Sequence, residues 1–211
     1  MFSYVPIANL ALQHLGEAYR IVEPDEDSKP ARAIKSAWDL TRLFVLAEGL
    51  FSFASRTLEL TARAAHPEYP LPIGRNAFPL PANMLAFVEI TAPASLDEND
   101  SYVFEEGPTG MDIVCDEPGP LSVRIIRDGA GAKDPARWTP AFAEAFAFRL
   151  AWQISDELAA DKARKDRVFN AANAALKLAK RANARTKASR GHATTPWVAA
   201  RSGGVQRAPG T

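Results

Sequence analysis

Residues 138–184 read WTPAFAEAFAFRLAWQISDELAADKARKDRVFNAANAALKLAKRANA. Phe142, Phe146, Leu150 and Ile154 recur at helical spacing, behind Thr139 as an N-cap and Pro140 at the first helical position, where its missing N–H costs nothing. Past Pro140 neither glycine nor proline interrupts the run. A stretch this long exceeds the usual globular helix, so the sequence predicts a bend or break near Asp161, where the composition turns basic. Long C-terminal helices over 139–184 therefore anchor the expected architecture. It is an α+β fold, with long C-terminal helices, a small antiparallel β element and an extended C-terminal tail.

Upstream, Ile7, Leu10, Ala11 and Leu15 share one helical face, and Gly16 follows as a left-handed stop, which predicts a helix over 4–15. The acidic turn EPDEDS at 23–28 offers Asp27 or Ser28 as an N-cap, with Pro30 in the first turn of a second helix over 29–49. There Ile34, Trp38, Thr41 and Val45 line one stripe, with Ala33, Ala37, Leu40 and Phe44 beside it, so the helix should be broadly buried.

Between the helical parts the period changes, and a β-rich insert is expected over 51–128. FSFASRTLELTA alternates at Phe51, Phe53, Ser55 and Thr57, as a half-buried strand does, although Leu58, Leu60 and Ala62 complicate the phase. YPLPIGRNAFPLPANML at 69–85 holds four prolines, a density that only an extended, edge or linking segment tolerates. AFVEITA, SYVFEE, MDIVCD and LSVRIIRD then read as a small antiparallel sheet or hairpin array. GPTG at 107–110 lacks the lysine and the context of a phosphate loop and reads as a hairpin turn. Val123 and Ile125 alternate with Arg124, and Ile126 breaks the alternation, which implies burial on both faces.

Charge divides the chain. Residues 1–160 carry 13 Lys and Arg against 23 Asp and Glu, whereas residues 161–211 carry 12 against 2, so a formal net charge of zero conceals two opposed surfaces. The last segment, 186–211, is rich in Arg, Ser, Gly, Pro and Ala, with only Trp197 and Val198 to bury, so it is expected to be ordered only by a partner. A main domain is placed at 1–185 and the tail at 186–211. No window reaches the apolar length of a membrane span, and the start MFSYVPIANL does not read as a secretory signal. No membrane association is expected. The single cysteine, Cys115, fits a reducing compartment and a packed position in its strand.

Catalytic patterns do not emerge. His14, His66 and His192 lie in unlike contexts, no spacing resembles a metal set, and the acidic stretches EPDEDS, LDEND and FEEG read as solvated turns. No catalytic residue, metal or cofactor is expected, and the chain is not read as an enzyme.

The order of these pieces resembles the head-to-tail adaptor (head completion) proteins of tailed bacteriophages and gene transfer agents, including the tail tubular protein A type. The likeness runs over nearly all of the chain before the tail. It comprises a short helix ending at Leu15-Gly16, a second helix opening at Ser28 with Ala31, the element LFSFASRTLEL, and the stretch AFPLPANML. The strand pair SYVFEE and LSVRIIRD follows, then Trp138-x-Pro140 leading into FAEAFAFRLAWQISDELA. Phe51 stands where many members carry Trp, and Asn83 where an acidic residue often follows Leu-Pro-Ala.

The resemblance implies a helical bundle with a small β element, a structural virion protein assembled in the host cytoplasm as a homo-oligomeric ring of about twelve copies at the head-tail junction. Its implied partners are the portal protein, a tail or nozzle/stopper protein, and genomic DNA passing without sequence-specific contact. On this reading Asp25, Glu26, Asp27, Asp97, Glu98 and Asp100 are candidates to face the lumen and repel DNA phosphates. Arg185, Lys187, Arg190, Arg201 and Arg207, with Trp197 as apolar anchor, would dock the tail on an acidic portal surface. Two alternatives stand beside it: a nucleic-acid-binding module built on the basic C-terminal third, and an enzyme whose site is assembled between subunits.

Overall fold

The computed structural model describes residues 2–92, 102–158 and 161–186. It is a mixed α+β structure with five helices and two three-stranded antiparallel sheets. Helix α1 spans Tyr4–Leu15 and α2 spans Lys29–Gly49, over the residues whose periodicity predicts them. Gly16 adopts φ 80° and closes α1 as a left-handed cap. Ser28, rather than Asp27, caps α2: its Oγ accepts from Ala31 N at 3.3 Å. Asn9 fixes the connection between these helices, donating from Nδ2 to Ile21 O and accepting from Ile21 N, both at 2.8 Å.

After α2 the aromatics of FSF do not form a strand. Phe51 precedes a 3-10 turn at Ser52–Ala54 and strand β1 begins only at Ser55, running to Leu60. Phe51 is pulled inward because α2 ends against it: a Cβ on Gly49 would lie 2.0 Å from the Phe51 ring. That contact is why position 49 needs glycine although its backbone is helical; the left-handed residue that closes α2 is Leu50, at φ 48°.

Strands β2 (Asn76–Pro79), β3 (Met84–Ala92), β4 (Val103–Gly107), β5 (Gly110–Cys115) and β6 (Leu121–Arg127) complete the β region. They form two sheets rather than one, in the orders β1-β6-β3 and β2-β5-β4. The proline-rich stretch supplies β2, an edge strand, as its composition requires. Gly107 pairs with Gly110 across the β4–β5 turn, which is the predicted hairpin. Strand β6 is central to its sheet and buried on both faces: Val123 and Ile125 join a core shared with Phe78, Ile113 and Cys115, while Ile126 joins the helical core.

A four-residue helix, α3 (Ala130–Lys133), and a 3-10 turn at Pro135–Arg137 lead into α4 (Pro140–Ile154), which Thr139 caps through Phe142 N at 3.3 Å. Helix α5 spans Lys162–Thr186, so the long C-terminal run breaks between Ile154 and Lys162, around the expected Asp161. Helix α4 is the hub, packing against α1, α2 and α5. Its stripe Phe142, Phe146, Leu150 and Ile154 is fully buried. Trp138 sits at its foot, donating from Nε1 to Ala132 O at 3.1 Å. Asn183 of α5 ties the far end back to the exit of α2, donating to Leu50 O at 3.0 Å and accepting from Ser52 N at 2.9 Å.

Two burial expectations need correction. On α1 the inward positions are Ile7, Ala8, Ala11, Leu12 and Leu15, and Leu10 is only half-buried. On α2, Leu40 and Phe44 are only partly covered; they are 66% and 44% exposed, because α4 occupies only the side bearing Ile34, Thr41 and Val45.

Candidate functional site

The acidic turn holds its side chains to its own neighbours. Asp27 Oδ1 receives Arg32 Nη1 at 2.7 Å, and Asp25 Oδ1 lies 3.6 Å from Lys35 Nζ, both on the exposed first turns of α2. Glu26 accepts from the Tyr19 hydroxyl and from Val22 N, and the Tyr19 bond holds its carboxyl below the ordinary range. The three carboxylates therefore find their partners close to the turn and along the start of α2. Asp97, Glu98 and Asp100 lie outside the described residues.

Of the predicted docking set, Arg185 is exposed in the last turn of α5, and Lys187, Arg190, Trp197, Arg201 and Arg207 lie outside the described residues. Upstream on α5, Lys177 and Arg181 are also exposed. Other cations of this helix are engaged: Lys165 Nζ lies 2.5 Å from Asp156 Oδ2, and Lys180 Nζ 2.5 Å from Glu48 Oε1.

A surface strip crosses the three packed helices. Arg149 of α4 lies between two rings, its Cζ 4.2 Å from the centroid of Phe44 on α2 and 4.3 Å from that of Trp152. Trp152 in turn meets Phe169 of α5, with centroids 5.4 Å apart. Leu40 stands one turn before Phe44 on α2. Isolated apolar side chains on a surface are ordinary; here they adjoin one another across three helices. Sequence reading placed Leu40 and Phe44 in the core, so it missed this strip; the signal was Arg149, a charge standing inside FAFRLAW.

No protein-family model matches the chain, and no curated protein matches it.

Among the described residues, no group of three or more His, Cys, Asp or Glu is placed to hold a metal ion, and no helix is long and apolar enough to cross a membrane. Cys115 is fully buried in β5, and burial raises its thiol pKa, so it packs as a small apolar side chain.

His14 is a titratable group whose setting has a consequence for stability. Its ring stacks on Phe148 of α4 at 3.6 Å between centroids, and Nε2 lies 3.2 Å from Glu144 Oε1. Burial lowers its pKa from the ordinary value, while Glu144 pulls in the opposite direction. The unfolded chain therefore takes up a proton more readily than the folded one, so this contribution is present above the ordinary histidine value of 6.5 and is lost as pH falls below it. We expect the melting temperature to drop between about pH 7.5 and about pH 5.5, and to drop less in His14→Gln. Equal drops in the two proteins would show that the ring is protonated without cost.

Proposed function

We propose that the protein is a structural connector of a virus-like particle. On this reading a helical bundle with a small β element repeats as a closed ring of about twelve copies at the portal vertex, and DNA passes through it. The observation that carries the reading is the strip Leu40, Phe44, Arg149, Trp152 and Phe169, an apolar surface on the outside of the helical layer that a second copy would cover. The charge division supports it: an acidic body lets DNA slide, and the basic C-terminal segment beyond Arg185 is complementary to an acidic portal surface.

The strip yields the test. Leu40 and Phe44 are exposed, so Leu40→Glu with Phe44→Glu should leave a folded subunit yet replace rings by monomers in native mass spectrometry. Rings that persist in the double variant, or a wild-type chain that is monomeric inside assembled particles, would reject the reading. The same samples, sedimented with DNA-filled tailless heads, report attachment; deletion of residues 187–211 should abolish it while the ring survives.

A second reading rests on a separate observation. Lys177, Arg181 and Arg185 stand one turn apart and exposed on α5, a spacing that can follow a phosphate backbone. As a nucleic-acid-binding module the isolated protein would bind duplex DNA with an affinity that falls steeply with salt, and rings would not be needed.

A further inference from the structure

Where β6 leaves its sheet, an open cavity of about 180 Å3 is lined by Arg56 of β1, Arg127 at the end of β6 and Arg137 of the 3-10 turn before α4, with Ser55, Gly129 and Gly131 between them. Three arginines line this one concavity, and little negative charge stands beside them. Arg137 Nε lies 3.6 Å from Asp134 Oδ2, a loose and exposed pair. Among the described residues, Arg56 and Arg127 have no ion-pair partner. Asp128, next along the chain, is committed elsewhere: one oxygen is 2.6 Å from Arg42 Nη1 and the other 3.4 Å from Lys133 Nζ.

The floor of the cavity is kept open by glycine. A Cβ on Gly131 would lie 3.0 Å from Phe53 O, so the loop can approach the turn before β1 only without a side chain there. At Gly129 the backbone is extended, with φ −114°, and any residue could adopt it; yet a Cβ would lie 3.3 Å from Arg127 Nε. Glycine at 129 thus leaves room for the Arg127 side chain.

We propose that this cavity binds a phosphate group. A phosphate carries roughly −1.5 to −2 charges near neutral pH and presents oxygens in several directions, so it can accept from more than one guanidinium fork at once. A single carboxylate carries one charge in one plane and matches one fork. The phosphate comes either from free phosphate or from a nucleic-acid strand, and the site does not depend on the ring reading.

The full-length protein is titrated with inorganic phosphate, with chloride balancing the ionic strength, and binding is followed by calorimetry. Saturable binding over the chloride control is expected, weakened by about tenfold or more in Arg56→Ala with Arg127→Ala. Gly129→Ala keeps every charge and should also weaken binding, which separates a shaped site from a general attraction. Circular dichroism establishes that each variant is folded; Arg56 and Arg137 are exposed, so Arg56→Ala with Arg137→Ala serves should the first pair not fold. A duplex oligonucleotide assigns the source. Duplex binding weakened by the same substitutions points to nucleic-acid phosphate, and duplex binding unaffected by them, with phosphate binding lost, points to free phosphate. Absence of saturable phosphate binding, phosphate binding untouched by the arginine substitutions, or tighter binding of polyglutamate than of phosphate would overturn the proposal.

Discussion

Arg63→Ala is expected to remove about 3–5 kcal/mol of stability, a large part of what holds a domain of this size. Arg63 Nε lies 2.6 Å from Asp112 Oδ2, with the two side chains 11% and 1% exposed. Asp112 sits on β5, the central strand of its sheet, facing Pro79 on one neighbour and Glu105 on the other. Gly107 closes over the carboxylate, since a Cβ there would come within 2.2 Å of Oδ2, and Oδ1 has no hydrogen-bond partner among the described residues. Without Arg63 the carboxylate would stay desolvated and uncompensated. The arginine also secures the chain ahead of β2, donating from Nη2 to Tyr69 O at 3.2 Å, while its backbone N–H donates to Ala77 O at 2.8 Å. Urea unfolding measures the loss. Because the cost lies in the orphaned charge rather than in the missing attraction, Arg63→Met with Asp112→Leu should recover much of it. A loss below about 1 kcal/mol in the single variant would mean that water reaches the carboxylate and the pair behaves as a surface one.

That pair shows where sequence reading stops. Arg63 and Asp112 are 49 residues apart, and Arg42 and Asp128 are 86 apart, so nothing local in the sequence matches either cation to its anion. Helix ends are the opposite case. A cap is made by a side chain and an N–H three residues on, as for Ser28 with Ala31 and Thr139 with Phe142, and such contacts are written in consecutive residues. The burial of β6 was legible for the same reason: Ile125 and Ile126 cannot both face one side of a strand, so two adjacent apolar residues require two cores. The division into two sheets was not legible, since β1 finds β6 and β2 finds β5 across intervening strands that the alternation cannot order.

The interaction surfaces split along the same line. Periodicity marks Leu40 and Phe44 as apolar neighbours of the inward stripe but cannot tell how wide a face α4 will cover, and that width left them outside. Arg56, Arg127 and Arg137 come from three separate segments that only the folded chain brings around one cavity. The acidic turn at 23–28 was legible as a turn. Its role was not, because the partners of Asp27 and Glu26 depend on the direction from which the chain enters α2.

Phe142→Ala should cost about 3–5 kcal/mol, and Phe142→Leu clearly less. The ring is fully buried and is met edge-on by Phe51 at 4.8 Å, Phe53 at 4.9 Å and Trp138 at 4.8 Å between centroids. Its neighbours come from three parts of the chain: the turn before β1, the residue ahead of the α4 cap, and α4 itself, where Phe146 lies one helical turn on. Truncation removes the apolar area and also leaves a cavity that the aromatic walls cannot readily fill, since two of the three are held by a further contact: Trp138 by its bond to Ala132 O and Phe51 by the close approach of Gly49. Leucine keeps part of the volume and loses the edge-on contacts, which places its cost between alanine and wild type. The loss should appear as one cooperative transition at lower denaturant with an unchanged slope, because β6 contributes to both cores and joins the sheets to the helices. Two separated transitions would show instead that the β-region holds together without the helical core, and that β6 does not couple them.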